Sequence, residues 1–179
     1  MPASGQRQQP EATHPVAQRI VVGVDGSDSS LQALRWAVRY AQLTGASVDA
    51  VAAWEYPAPV GGWGMAPLAM VSETDFGYLA AQQLKDAVAR IGRPRHHVLI
   101  RQLVAEGNPA RVLLDASADA DLLVVGNRGH GGFAGLLLGS VSQHCVHHAS
   151  CPVVVIRGPA RTENPQVAEA DGNRTRQRR

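Results

Sequence analysis

The chain has 179 residues, of which 45% are hydrophobic and 18% charged, so it can form one ordinary globular core but hardly two. Its net charge of +2 comes from residues 158–179, where five arginines outnumber three acidic residues, while residues 19–157 carry 11 charges of each sign. A neutral body argues against nucleic-acid binding by the folded domain, because affinity for a polyanion requires a positive surface patch.

Three further classes of protein do not fit the sequence. No stretch approaches about 18 consecutive uncharged apolar residues, so no membrane-spanning helix is expected. The first 18 residues lack the apolar segment of a secretory signal. Two cysteines, Cys145 and Cys151, are too few for a disulfide framework in a chain of this length. We therefore expect a cytoplasmic protein.

Both ends of the chain differ in composition from its middle. Residues 1–18 and 158–179 are rich in small and polar residues and contain almost no large apolar side chains. Such segments bury too little surface to offset the entropy of ordering them. The sequence therefore predicts two disordered tails around one domain at residues 19–157.

Strand and helix patterns alternate in the first half of this domain. Apolar runs at residues 20–24 and 48–54 predict two buried strands. Between them, leucine, valine and alanine recur at helical spacing from residue 31 until Gly45 ends the helix. Residues 55–72, with three prolines and three glycines, are predicted to be a functional loop, and residues 73–92 a helix that ends at Gly92.

The second half continues the alternation. Residues 98–104 are predicted to form a strand. The polar residues Arg101 and Gln102 indicate that this strand is less buried and lies at the edge of the sheet. Asn108 and Pro109 have the residue types of a helix cap and first helical position, and this helix is predicted to reach about residue 118. Residues 122–125, 140–148 and 152–157 predict a strand, a helix and a last strand. The fold class is therefore α/β, an open five-stranded parallel sheet with helices on both faces.

The connection that follows the fourth strand carries the strongest functional signal. Six glycines lie between residues 126 and 139, and the last of them directly precedes Ser140 at a helix start. Glycines let backbone N–H groups converge on phosphate oxygens, and a helix N-terminus adds partial positive charge. Ligands of open parallel sheets bind at the carboxyl ends of the strands, where this connection begins. A glycine-rich surface loop without a ligand is the alternative interpretation.

The spacing Gly126-x2-Gly129-x9-Gly139-Ser140 resembles the nucleotide-binding motif G-x2-G-x9-G-[ST] of the universal stress protein family. The segments VVGVDGS at residues 21–27 and HHASCPVVV at residues 147–155 resemble the first strand and the last helix–strand junction of that family. Other nucleotide motifs are absent from the sequence: GVDGSDSS is not a dinucleotide fingerprint, and Lys85, the single lysine, lies in no P-loop pattern.

This resemblance implies a Rossmann-like sheet with strand order 3-2-1-4-5, an ATP site with Mg²⁺ as a possible companion, and a homodimer formed through the last strand, Val153–Ile156. It implies that Asp25 lies near the ribose or a phosphate-bound Mg²⁺ and that the backbone of Ala53 meets adenine. The full set of implied nucleotide-binding residues is Gly23, Asp25, Ala53, Gly126, Asn127, Arg128, Gly129, His130, Gly131, Gly132, Gly139, Ser140 and Val141.

Some patterns allow other interpretations. His144 and His148, with Cys145 and Cys151 nearby, have the residue types of a zinc site, but the same run is ordinary junction sequence in the family, and no metal site is predicted. Trp54 and Trp63 are candidates either for packing or for covering a nucleotide.

Three functions remain open at this point. The first is an ATP-binding regulatory protein of the stress response, which signals through nucleotide occupancy. The second is a slow ATPase with Asp25 as general base and Arg128 or His130 as the charge-stabilising group. The third is a dimeric scaffold that does not use nucleotide, against which the intact glycines argue. No catalytic residue is assigned.

Overall fold

The computed structural model describes residues 18–56, 73–92, 97–129 and 137–158. The predicted loop at residues 55–72 and both predicted tails lie almost entirely outside these ranges. Within them, strands and helices alternate in the order β1 (Arg19–Gly23), α1 (Asp28–Thr44), β2 (Ser47–Trp54), α2 (Glu73–Arg90), β3 (Ile100–Glu106), α3 (Pro109–Ala116), β4 (Leu122–Gly126), α4 (Ser140–His148) and β5 (Val153–Ile156).

The five strands form one sheet in the order β3-β2-β1-β4-β5, and every neighbouring pair is parallel. This order confirms the predicted α/β class and topology. Because β1 lies in the centre and the chain turns from one half of the sheet to the other after β3, the switch point in strand order falls between β1 and β4. A ligand site is therefore expected at the carboxyl ends of these two strands.

Two apolar clusters hold the helices on opposite faces of the sheet. On one face, Ile20 and Val22 of β1 pack with the buried sides of α1 and α2. On the other face, Val21 packs with Leu113 of α3 and Cys145 of α4. The near-continuous apolar runs of β1 and β4 are thus explained, since consecutive residues of a central strand enter different clusters.

Capping residues fix three helix ends, and those at Gly45 and Asn108 confirm the prediction from the sequence. Ser27 caps α1 by accepting a hydrogen bond from the Ser30 amide, and Gly45 ends the helix with a positive φ of 76°. Asn108 caps α3 through its side-chain oxygen, which accepts hydrogen bonds from the two amides after Pro109. Each cap fixes where a helix begins or ends relative to the strand beside it.

The third strand lies two residues later than predicted. Its pairing with β2 begins at Val48 and Ile100 and continues to Trp54 and Glu106. Val98 already packs against the core before the strand begins, so its apolar character does not mark a strand residue. The prediction of an edge position is confirmed, since among the described strands β3 pairs with β2 alone and most of its side chains are exposed.

The buried carboxylate of Asp49 links strands β1, β2 and β3. The side chain of Asp49 in β2 is 2% exposed and accepts two hydrogen bonds from Arg101 of β3, at 2.6 and 2.9 Å. Arg19 of β1 reaches the same carboxylate at 3.2 Å. The hydrogen bond and charge of Asp49 raise the pKa of Arg101 above its ordinary value.

No helix in the described part of the chain combines the length and the hydropathy that a membrane-spanning helix requires.

Candidate functional site

A cavity of about 330 Å³ opens at the carboxyl ends of β1, β2 and β4, where the strand order predicts a ligand. It is bounded by the turn after β1, the connection after β4, and the N-terminal ends of α3 and α4. The lining residues are Gly23, Val24, Asp25, Ser30, Val51, Ala53, Pro109, Leu113, Val125, Gly126, Arg128, Gly129, Gly139, Ser140, Val141 and Ser142.

Nine of the thirteen residues that the resemblance implies for nucleotide binding line this one cavity. They are Gly23, Asp25, Ala53, Gly126, Arg128, Gly129, Gly139, Ser140 and Val141. His130, Gly131 and Gly132 lie outside the described residues. The structure thus brings together residues from four separate segments.

Asn127, the remaining member of the set, is engaged in holding the β4–α4 connection. Its side-chain oxygen accepts a hydrogen bond from the Gly158 amide at 3.2 Å, and its amide nitrogen donates to the Leu137 carbonyl at 3.4 Å. Its backbone carbonyl accepts from the Gly139 amide at 2.7 Å. Asn127 therefore sets the distance between the end of β4 and the start of α4.

The start of α4 lines the cavity, and no side chain of its N-cap residue accepts hydrogen bonds from its first-turn amides. Gly139 is its N-cap residue and has no side chain that could accept from the first-turn amides. The Ser142 hydroxyl is directed to the carbonyls of Asn127 and Gly139, at 3.1 and 3.0 Å, rather than to those amides. The exposed Ser140 adds a hydroxyl at the same place. The amides, the hydroxyl and the helix dipole together favour an anion.

Asp25 stands on the opposite side of the cavity, in the turn between β1 and α1. Its Oδ1 accepts hydrogen bonds from the amide and the hydroxyl of Ser27, at 3.0 and 2.6 Å. Its backbone carbonyl accepts a hydrogen bond from Gln83 of α2 at 2.6 Å. The carboxylate is therefore oriented by its own turn, and the turn is held by a helix that is distant in sequence.

Two glycines of the connection after β4 are required by close packing. A Cβ at Gly126 would lie 2.7 Å from the Ser29 hydroxyl and 2.9 Å from the backbone of α1. A Cβ at Gly129 would collide with Oδ2 of Asp25. The Ser29 hydroxyl also donates a hydrogen bond to the Arg128 carbonyl. The connection therefore lies directly on the N-terminal end of α1.

The floor of the cavity is apolar. It is formed by Val51 and Ala53 of β2, Val125 of β4 and Leu113 of α3. A Cβ at Gly23 would lie 2.8 Å from Leu113, so this glycine lets α3 approach the end of β1. A cavity with an apolar floor, an anion-favouring helix start on one side and a carboxylate on the other can hold an amphiphilic anion such as a nucleotide.

Several lining residues were not predicted from the sequence. Ser30, Leu113 and Val125 are ordinary helix and strand residues in the sequence, and their place at the cavity depends on packing across the sheet. Pro109 is the exception: as the first residue of a helix that follows β3, it belongs to the carboxyl edge by topology alone. That signal could have identified it.

The possible zinc site gains no third ligand from the structure. The rings of His144 and His148 lie 4.3 Å apart, centre to centre, on the exposed side of α4. Cys145 is fully buried on the other side of the helix, and burial raises the pKa of its thiol to about 11. Within residues 18–56, 73–92, 97–129 and 137–158, no group of three or more His, Cys, Asp or Glu could hold a metal ion.

Of the two tryptophans considered as nucleotide covers, only Trp54 can be described. Its indole ring packs against Gly77 of α2, where an added Cβ would touch the ring at 3.5 Å. Its carbonyl accepts a hydrogen bond from the Gly107 amide at 2.8 Å. These contacts agree with a packing role at the end of β2. Trp63 lies outside the described residues.

Comparison with known proteins gives a consistent result. A family model described as the universal stress protein family matches residues 17–157. A universal stress protein of Mycolicibacterium smegmatis is 37% identical over 146 residues, which are 78% of this chain and 48% of that protein. One from Mycobacterium tuberculosis is 37% identical over 147 residues, or 80% of this chain and 46% of the relative. The chain thus spans about half the length of these curated relatives.

Solved structures of universal stress proteins are also similar to this chain in fold. A universal stress protein from Lactobacillus plantarum has 26% identity and a TM-score of 0.64, with 78% of this chain and 97% of that chain covered. Another, described as a universal stress protein in complex with cAMP, has 29% identity and a TM-score of 0.55, with 79% and 98% covered. The latter protein therefore binds an adenine nucleotide.

Proposed function

Because this chain belongs to the universal stress protein family, we propose that it is a regulatory module of the stress response that binds ATP in the cavity at the carboxyl edge of its sheet. The observation that carries the proposal is the convergence of three features on one cavity: the glycine-rich connection after β4, the uncapped start of α4 and the carboxylate of Asp25. The cAMP complex of a structural relative supports an adenine nucleotide as the ligand class.

The charges of the described site suit binding better than rapid hydrolysis. Backbone amides and a helix dipole hold a polyphosphate equally well before and after cleavage. Phosphoryl transfer instead requires a cation that stabilises charge developing on the terminal phosphate, and Arg128 is the one Lys or Arg among the described lining residues. We therefore assign the module a role in which occupancy by nucleotide is the signal, with hydrolysis at most slow.

In this proposal, different sides of the cavity bind different parts of ATP. Ala53 and the apolar floor receive adenine, the backbone from Gly126 to Gly129 surrounds the ribose, and Gly139, Ser140 and Val141 hold the phosphates. The carboxylate of Asp25 fits a Mg²⁺ ion, which in nucleotide sites commonly takes one protein carboxylate, phosphate oxygens and water. When bound, Mg²⁺ would neutralise phosphate charge beside that carboxylate.

The proposal also includes a cytoplasmic location and a homodimer through β5. A site that depends on ATP is useful where ATP is present, and two unpaired cysteines suit a reducing compartment. Cell fractionation that recovers the protein outside the cytoplasm would contradict the location.

The experiment is to denature freshly purified protein, identify any released nucleotide, and measure the affinities of ATP, AMP, cAMP and adenosine by calorimetry. We expect ATP from the wild type and none from Gly129→Lys, in which the side chain fills the space beside Asp25. Leu43→Lys is the matched control, because it adds the same charge at a position that is 85% exposed on α1. No affinity for any adenine nucleotide would refute the proposal, and ADP formed over many turnovers would replace it with an ATPase.

A further inference from the structure

The turn that carries Asp25 contains one peptide group whose orientation its own sequence does not fix. Gly26 follows Asp25 and has a φ of +82°. Glycine adopts positive and negative φ with similar ease, so rotation of the Asp25–Gly26 peptide group meets little resistance from the turn itself. Some other part of the molecule must select the orientation that is observed.

Gln83 of α2 makes the contact that selects it. Its side-chain amide donates to the Asp25 carbonyl at 2.6 Å, across 58 positions in sequence. The same side chain occupies the space in which a Cβ at Gly26 would lie, with Cδ of Gln83 only 2.9 Å from that point. Glycine is therefore required at position 26 for two reasons: its positive φ, and the space that the Gln83 side chain occupies.

The orientation of this peptide group determines the position of the carboxylate. Rotation of the group changes ψ of Asp25 and the path toward Ser27, whose amide and hydroxyl hold Oδ1 at 3.0 and 2.6 Å. Oδ2 packs directly against Gly129 of the connection after β4. A displaced carboxylate would lose the Ser27 contacts and either approach or leave the glycine-rich connection.

We propose that Gln83 is a positioning residue for the nucleotide site: it holds the Asp25–Gly26 peptide group so that the carboxylate faces the cavity in one orientation. The inference rests on the proposed function for its effect on nucleotide, but its structural part can be measured without any ligand. It gives α2, which contributes no residue to the described lining of the cavity, an indirect part in binding through Asp25.

The first test is made on the free protein with Gln83→Met, which keeps the length of the side chain and removes the donor. We expect hydrogen exchange of the Ser27 amide, measured by NMR, to become at least about fivefold faster, as for the loss of one hydrogen bond of typical strength. Gln42→Met, at the far end of α1, is the matched control. An unchanged Ser27 exchange rate in Gln83→Met would overturn the proposal.

The second test is a double-mutant cycle on the affinity of ATP with Mg²⁺. Gln83→Met is expected to weaken binding about fivefold in the wild type and to have no effect in an Asp25→Ala background, because Gln83 acts through that carboxylate. Equal effects in both backgrounds would assign Gln83 a general structural role and refute positioning. If the wild type binds no adenine nucleotide while Ser27 exchange responds to Gln83→Met, the proposed function fails and the positioning of Asp25 stands.

Discussion

Among single residues, Gly129 and Gly139 belong to the same sequence motif but meet different constraints. The position of a Cβ at Gly129 is already occupied by the Asp25 carboxylate. The nearest atom to a Cβ at Gly139 is 3.5 Å away, which is ordinary contact, and its φ of −77° suits any residue. Gly129 is required because there is no room for a side chain. Gly139 is required because a side chain there would alter the start of α4.

We therefore expect Gly129→Ala to weaken ATP binding about tenfold with little change in the unfolding midpoint, because the carboxylate must leave its Ser27 contacts. Calorimetric titration and thermal unfolding measure the two effects separately. Gly77→Ala is the control, since its new methyl group has 3.5 Å of room beside Trp54. Wild-type affinity in Gly129→Ala would show that the Asp25 carboxylate does not need its observed position.

The two cysteines differ in burial, and their reactivity should differ accordingly. Cys145 is fully buried, and its thiol pKa is raised from 9.0 to about 11, whereas Cys151 is partly exposed. At pH 8 about one Cys145 side chain in a thousand is then a thiolate. We expect iodoacetamide to label Cys151 in the native protein and both cysteines after unfolding, as measured by peptide mass spectrometry.

The raised pKa also fixes the sign of a pH effect. The folded state favours the protonated thiol, so the contribution of Cys145 to stability is constant below pH 9 and falls as the pH rises from 9 to about 11. Cys145→Val should lack this component of alkaline destabilisation in urea unfolding curves. An identical pH profile for the two proteins would contradict the burial argument.

At the scale of single elements, the start of α4 combines weak capping with anion affinity. Gly139 leaves the first-turn amides without a side-chain acceptor. An aspartate at this position would accept from those amides and place a negative charge at the positive end of the helix. The same carboxylate would compete with phosphate for the same donors.

Gly139→Asp is therefore expected to increase the free energy of unfolding by about 0.5–1 kcal/mol. We expect it to weaken ATP binding more than adenosine binding, because only ATP uses the amides through its phosphates. Gly139→Ala supplies the control, since it adds a Cβ without an acceptor or a charge. Equal losses for ATP and adenosine would mean that α4 does not hold the phosphates.

The elements themselves were largely predictable, and the reasons are local. Helix caps at Gly45 and Asn108 and the apolar periodicity within each segment depend on neighbours in sequence, and they placed most boundaries within two or three residues. The topology followed from the alternation of elements and from the resemblance to a family. The nine cavity residues were implied by the resemblance to the family, and they lie together because the carboxyl ends of parallel strands share one edge.

What the sequence could not predict depends on contacts between distant segments. The hydrogen bond from Gln83 to the turn at Asp25, the contacts of Ser29 with the connection after β4, and the ion pairs of Asp49 each join residues far apart in sequence. No local pattern marks these polar residues as partners. The predicted bounds of β3 were wrong by two residues for the same reason, since pairing with β2 determines where the strand begins and ends.

On the scale of the whole molecule, Asn127 connects the edge strand β5 to the candidate site. Asn127 donates its amide to the Ile156 carbonyl at the end of β5, at 2.7 Å, and its side chain accepts from Gly158. Its own carbonyl holds the start of α4 through Gly139. A partner bound at β5 therefore contacts a strand that is joined directly to the anion-favouring side of the cavity, so dimerisation and nucleotide binding are expected to strengthen one another.

In the described part of the chain β5 pairs with β4 alone, so its outer edge gives the dimer proposal a precise test. The amides of Leu123 in β4 and of Asn127 just after it donate to the carbonyls of Pro152 and Ile156, so alternate residues along β5 bond to β4. The backbone groups of Val153 and Val155 point to the open edge, where a second copy of the chain could pair with them. Val155→Pro removes one outward N–H and leaves the bonds to β4 intact.

We expect light scattering at micromolar concentration to report a dimer for the wild type and for Val155→Ala, which keeps the N–H group, but a monomer for Val155→Pro. Circular dichroism should be the same for all three, because proline is tolerated where the N–H faces away from the sheet. The mutual strengthening through Asn127 predicts that the monomeric variant also binds ATP more weakly. A dimer that persists in Val155→Pro would place the interface elsewhere, and a monomeric wild type would exclude it.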